Sequence, residues 1–420
     1  MYLRHTSSVT TPYPFGTSAG GAAASAGATD AFGRVRTSNP LTLFDSSHRY
    51  HDNGLWATST ATGGTSTFDA NAGLVNLAVT TSSGSEVIRE TTKCCSYQPG
   101  KSLLVMSTFT LNPAKTGLRQ RVGYYGAANG MYLELANTTL SFVERSSSTG
   151  SLVETRVAQS DWNIDPLNGT GPSNLTLDPT KSQILWMDIE WLGLGTVRLG
   201  FVINGKFVHC HSFHHANIIT STYITTASLP LRYEITNTAA TASASTLKQV
   251  CSTVLSEGGY ELRGLQQAIG TAITAPYALT TAGTYYPVIS LRLKAAALDA
   301  IVILTALSIL GATANANYNW RVMANTTTTG GTWTSAGADS SVEYNLTGTA
   351  TTGGRILAQG YFSSTNQSTA SVDILKEALF KFQLERDGLT STPYELSLLV
   401  AASVATSNVH ASMDWEEISR

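Results

Sequence analysis

Asp188 and Glu190 are the pair whose residue types and spacing could do chemistry in this chain. They lie in the run Gln183–Ile184–Leu185–Trp186–Met187–Asp188–Ile189–Glu190–Trp191, whose apolar–polar alternation predicts a strand. Residues two apart on a strand project from one face, with Cα atoms about 6.5–7 Å apart. Two carboxyl groups at that range are what retaining glycoside cleavage uses, one as acid and one as nucleophile. A second cluster is His209–Cys210–His211–Ser212–Phe213–His214–His215. His209 and His211 are expected on one strand face, with His214 or His215 curling back to give donors that zinc would accept. The spacing is neither that of a zinc finger nor that of a His-Glu-x-x-His helix, so a structural or intersubunit role is the preferred reading. Cys94, Cys95 and Cys210 have Lys93 as their one basic neighbour in sequence and read as buried small apolar residues. There is no Walker loop and no Gly-x-Gly-x-x-Gly after a strand. No catalytic residue is assigned, and no cofactor is expected.

Aromatic side chains offer another use, since an exposed ring can stack on a sugar. Tyr124, Tyr125, Tyr132, Trp162 and Trp191 are the candidates. The candidate glycan-binding set is therefore Trp162, Trp191, Asp188 and Glu190, and the candidate metal set is His209, His211 and His214.

These side chains would be positioned by short strands. Phe201–Val202–Ile203–Asn204–Gly205–Lys206–Phe207–Val208 reads as two strands closed by a type I′ Asn-Gly turn, which needs φ > 0 at both central residues. Similar runs (Leu74–Val79, Leu103–Leu111, Met131–Leu135, Leu140–Arg145) are separated by Gly63–Gly64, Gly84, Pro99–Gly100 and Asn129–Gly130. Regular short strands with turn chemistry between them predict a sandwich or jelly roll. A second series opens at Tyr286–Leu293 and ends at Ser412–Ile418, with Asp373–Leu379 the one expected helical turn. Before them, Gly16–Thr29 is a Gly, Ala, Ser and Thr tract too poor in apolar surface to offset its ordering entropy. The expected organisation is all-β: a flexible N-terminal arm (1–31), a concanavalin-like antiparallel sandwich (32–268), a linker (269–284) and a second sandwich (285–420).

Charged residues make up 13% of the 420, about half the usual share, so the surface must be polar largely through hydroxyls and backbone. A formal net charge of −2 leaves no electrostatic footprint for nucleic acid or anionic lipid. The most apolar run, Leu298–Leu310, is interrupted by Asp299, Thr305 and Ser308 and is too short to span a bilayer. Met1–His5 is followed by Ser, Thr and Pro with no apolar signal core. Four cysteines in a chain this long do not form a disulfide framework, and folding in a reducing cytoplasm is expected.

Two resemblances refine this. The run from Trp186 to Glu190 resembles the Glu-x-Asp-x-Glu strand of laminarinase-type, concanavalin-like hydrolases, in which the first Glu is the nucleophile and the last the acid/base. Here Trp186 stands first, and only Asp188 and Glu190 match. An indole cannot attack an anomeric carbon, so the resemblance implies the fold without the activity. The second resemblance is to a family of uncharacterised tailed-bacteriophage structural proteins. It is carried by Asp30–Ala31–Phe32–Gly33–Arg34–Val35–Arg36–Thr37–Ser38, by Tyr97–Lys101, Arg121–Tyr124 and Ser256–Glu261, and by Gly330–Trp333 and Ala411–Trp415. It implies a virion protein, folded in the host cytoplasm and held to capsid, neck or tail proteins through its arm, with Phe32, Arg34 and Arg36 as candidate docking residues. A homo-oligomer, with a trimer favoured, is expected, as for fibres and decorations built about an axis. The preferred expectation is a non-enzymatic head or neck decoration or fibre. The alternative is a receptor-binding adhesin for host surface glycan. A polysaccharide depolymerase would need a replacement for the nucleophile missing at Trp186, and the sequence offers none.

Overall fold

The computed structural model describes residues 39–261, 263–364 and 382–419. The expected arm with Phe32, Arg34 and Arg36, and the expected helical turn Asp373–Leu379, lie outside the described residues.

Fifteen strands build the first sandwich: β1 (Leu41–Ser47), β2 (Trp56–Ala61), β3 (Thr65–Asp69), β4 (Leu74–Val79), β5 (Glu86–Thr91), β6 (Leu103–Thr110), β7 (Leu118–Tyr125), β8 (Gly130–Ala136), β9 (Thr139–Ser146), β10 (Val153–Ala158), β11 (Ser182–Ile189), β12 (Val197–Ile203), β13 (Lys206–Phe213), β14 (Leu231–Asn237) and β15 (Ser245–Ser256). They form an eight-stranded sheet in the order β13-β12-β11-β6-β15-β4-β3, with β1 also on β15, and a seven-stranded sheet in the order β10-β9-β8-β7-β14-β5-β2. Period-two alternation fills the space between them. Leu185, Met187 and Ile189 from β11 and Val105 and Phe109 from β6 bury against Val122, Tyr124, Tyr233 and Ile235 of the facing sheet. Asn204 and Gly205 have φ of 53° and 73°, the I′ geometry that the Asn-Gly pair predicts.

The second sandwich comprises β16 (Leu265–Gly270), β17 (Tyr277–Leu279), β18 (Tyr286–Leu293), β19 (Ile301–Gly311), β20 (Asn317–Thr329), β21 (Thr334–Ser335), β22 (Val342–Asn345), β23 (Ala350–Ser363), β24 (Arg386–Asp387), β25 (Thr392–Pro393), β26 (Glu395–Ala402) and β27 (Ser407–Ser419). A six-stranded sheet, β21-β22-β18-β26-β20-β23, faces a four-stranded one in which β27 pairs with β16, β17 and β19. Trp415, Met413, Leu291, Leu398 and Tyr318 lie in the core between them. The boundary differs from the sequence reading. Residues 265–270 and 277–279, assigned there to the end of the first sandwich and a linker, pair with β27 and belong to the second. Ala, Thr and Gly in that stretch suggested a loop because its strands are short, and a long partner supplies their order.

Among the described residues there is no α-helix, only the 3₁₀ turns Gln159–Asp161 and Ala295–Ala297. No helix among them is long and apolar enough to cross a membrane. Many of the chain's scarce charges sit in buried ladders. On the outer face of the seven-stranded sheet Arg121 bonds Glu134 at 2.7 Å, Arg156 bonds Glu134 at 2.7 Å, and Arg145 bonds Glu154 at 2.6 Å. Tyr125 and Tyr132 lie beneath these guanidiniums, fully buried.

Candidate functional site

β11 carries Trp186 and Asp188 on the face opposite its core residues Leu185, Met187 and Ile189, and Glu190 follows the strand's last residue. The strand then turns through Trp191–Thr196 into β12. Asp188 and Arg198 each lie five residues from Gly193, and this places them directly opposite one another across the β11–β12 pair. An Arg198 guanidinium nitrogen donates to Asp188 Oδ2. Glu190 is exposed, and its Oε2 accepts from the Thr196 amide at 3.2 Å.

Together these groups line a cavity of about 550 Å³, bounded by Tyr97, Gly100, Lys101, Ser102, Asp188, Glu190, Leu192, Thr196 and Arg198. The far wall is built from two distant stretches. Lys101 Nζ donates to Gln98 Oε1 at 3.0 Å, Ser102 Oγ donates to Glu257 Oε2 at 2.6 Å, and the Glu261 amide donates to Gln98 Oε1 at 3.0 Å. A Cβ on Gly258 would strike the Lys101 side chain at 2.6 Å, so glycine lets the two stretches close. Residues 97–101 and 256–261, two of the stretches that carry the phage-family resemblance, thus meet beside the groove.

Trp186 does not reach the groove as a reactive or stacking group. It is 1% exposed, packed edge-on to Phe207 at 5.6 Å and against His209 at 5.7 Å. A side chain at Gly200 would collide with the Val208 carbonyl and with the indole. Asp188, half of the expected carboxylate pair, is committed to Arg198. What remains is a cleft that presents opposite charges and hydroxyls, able to exchange hydrogen bonds with a polyhydroxylated ligand.

The other sequence candidates fall elsewhere. Trp162 is 4% exposed, stacked on Phe142 at 4.3 Å with Nε1 donating to the Val157 carbonyl, so it is core and not a sugar platform. Trp191 is half-buried behind the groove, edge-on to Tyr97 at 5.6 Å, its Nε1 donating to Ile224 O. Tyr124, Tyr125 and Tyr132 are fully buried. Tyr125 and Tyr132 are covered by arginines of their own outer face and Trp162 follows a 3₁₀ turn, neither of which strand alternation reports.

The histidines do not share a face. The pairing Leu199↔His211 and Gly200↔His209 leaves Cys210 as a bulge. His209 therefore faces Trp186, whereas His211 stacks on Phe142 in the core, where burial pushes its pKa down to about 4. His214 is exposed, with Nδ1 3.2 Å from Thr196 Oγ1. Among the described residues no three His, Cys, Asp or Glu side chains form a metal-holding group. The cysteines are free thiols; Cys94, Cys95 and Cys210 are buried, and burial raises the pKa of each.

Sequence reading missed Tyr97, Lys101, Ser102, Thr196 and Arg198. Arg198 had a usable signal: Gly193 and Gly195 mark a turn, and counting outward from Gly193 pairs Asp188 with Arg198. Lys101 and Ser102 reach the site through sheet order, for which the sequence holds no local cue.

No family model and no curated protein matches the chain. Solved structures with a similar fold include a protein of unknown function from Shewanella oneidensis MR-1, 9% identical, covering 55% of this chain and 91% of that one at a TM-score of 0.36. A carbohydrate esterase from the Shiga toxin-encoding bacteriophage phi24B is 12% identical over 52% of this chain and 100% of its own, at 0.32. The Emp47p carbohydrate recognition domain is 10% identical over 54% and 99%, at 0.34. Scores this low carry no function across.

Proposed function

We propose that this chain is a non-enzymatic glycan-binding protein whose first sandwich holds a polysaccharide or surface sugar in the groove between Lys101, Asp188, Glu190 and Arg198. The observation that carries this reading is the Asp188–Arg198 pair. An aspartate held by a guanidinium is a fixed acceptor beside a fixed donor, an arrangement that recognises hydroxyl pairs. With a buried indole at the nucleophile's position, the same strand is not equipped to cleave what it holds. A glycan array probed with the purified full chain tests the reading: selective binding, lost in Arg198→Ala, is the expected result. Silence across host-derived polysaccharides, or release of reducing ends that Glu190→Gln abolishes, would replace it.

The setting we propose is a bacteriophage particle, with the chain joined to other virion proteins and assembled as a homo-oligomer. Its support is the sequence resemblance, one stretch of which, Tyr97–Lys101, lines the groove. Deleting residues 1–31 should leave a folded protein that no longer enters particles. Unchanged incorporation would remove the arm from the account.

A further inference from the structure

We propose that the groove selects a sugar bearing one small apolar substituent, an N-acetyl, O-acetyl or 6-deoxy methyl group, and that Leu192 is the residue that reads it. This rests on the glycan-binding proposal and names the class of ligand within it. Leu192 lines the cavity, is 57% exposed and has a φ of 42°. Left-handed backbone disfavours a bulky side chain, whereas Gly or Asn would occupy it without strain. The position therefore combines two unfavourable features, a strained leucine and an apolar side chain left in water. Its backbone is fixed rather than loose: the Leu192 amide donates to Tyr97 Oη at 3.3 Å, and the Tyr223 amide donates to Gly193 O at 3.0 Å. The structure thus holds an aliphatic group out at the groove's rim.

Apart from Leu192 and the Tyr97 ring, the lining is Gly100 and polar or charged side chains. A ligand that is hydroxylated throughout satisfies the polar groups and leaves Leu192 wet. A ligand with a single methyl or acetyl group on an otherwise polar ring satisfies both. Leu194, 40% exposed, and Ile218, 68% exposed, lie on this loop and on the loop tied to it through His215 and Gly195 O, which continues the apolar character outward.

Calorimetric titration of the full chain with matched pairs, glucose against N-acetylglucosamine and galactose against 6-deoxygalactose, tests this. Wild type should bind the substituted member of at least one pair about tenfold more tightly, the discrimination a methyl-sized contact provides. Leu192→Asn, which suits positive φ, should cut that preference, read as the ratio of the two affinities within a pair, to within about twofold. Leu192→Gly serves as the second variant should Asn perturb the loop. Equal affinities within both pairs, or a preference that survives loss of Leu192, overturn this inference and leave the glycan-binding reading standing. No binding of any of the four sugars by folded wild type, together with a silent array, overturns both.

Discussion

Trp186 stands where the laminarinase-type strand that this run resembles carries its first Glu. Its indole is packed from Phe207, His209 and the bare backbone of Gly200. Placing a carboxylate there should not produce chemistry. Trp186→Glu would place an ionisable group in a site shaped for a ring, so no reducing ends should appear. Stability should fall by about 3–5 kcal/mol, the usual cost of emptying a buried tryptophan site; a melting curve and a reducing-sugar assay check both halves. Turnover by that variant would mean that the strand had retained hydrolase geometry. Gly200→Ala should cost about 1–3 kcal/mol from overpacking, since the added methyl meets the Val208 carbonyl and the indole together.

At the scale of elements, the loop walling the groove is tied down by a histidine with two acceptors. His215 Nε2 is 2.7 Å from Glu144 Oε2, its Nδ1 is 2.5 Å from Gly195 O, and its ring stacks on Tyr223 at 3.9 Å. Only the imidazolium can donate to both. Burial opposes the charge, but the Glu144 carboxylate and the Gly195 carbonyl outweigh it and raise the pKa above the ordinary 6.5. The stabilisation is therefore fully present below about pH 6.5 and is lost as pH rises through the higher folded value. Exchange protection of the 191–196 amides should fall as pH rises above about 6.5, and His215→Gln should flatten that profile. A rise in protection with pH would contradict the assignment. On the seven-stranded sheet the opposite limb applies. Burial works against ionisation of Glu154, but bonds from Tyr132, Arg145 and Arg156 dominate and bring its pKa down to about 2. Its contribution holds above the unfolded value of about 4.3 and disappears as pH falls toward 2. Glu154→Gln should therefore weaken the acid dependence of the melting temperature.

Much of this element plan was legible in the sequence. Period-two alternation located β6, β11 and β12, and Asn204–Gly205 set a hairpin register. What alternation could not show was which face a second layer would cover. Nor could it show that arginines would cover Tyr125 and Tyr132, or that Trp162 would enter the core after a 3₁₀ turn, and the Cys210 bulge separated two histidines that strand spacing had placed together. The groove's far wall was hidden for another reason. Ser102 and Glu257 meet because β6 and β15 are neighbours, a pairing across a sequence separation that no local pattern reports.

Across the whole molecule, the two sandwiches are joined by a buried charge rather than by contact between cores alone. Arg386 donates to Glu90 at 2.6 Å and to Asp299 at 3.0 Å, and its amide donates to Thr92 O at 2.9 Å. The Arg386 and Glu90 side chains are each 3% exposed. Breaking one partner of such a pair costs about 3–5 kcal/mol, because the other is left buried with its charge less compensated. Arg386→Met should split a single calorimetric unfolding transition into two; an unchanged single peak would show that the domains are held by other contacts.

The proposed function requires that the Asp188–Arg198 groove bind sugar and leave it whole. Titrating wild type and Arg198→Ala with the best array ligand, then recovering that ligand for mass analysis, measures this directly. Saturable binding by wild type alone, with the glycan returned at its original length, is the result expected. Equal binding by both proteins, or a shortened glycan, would contradict it.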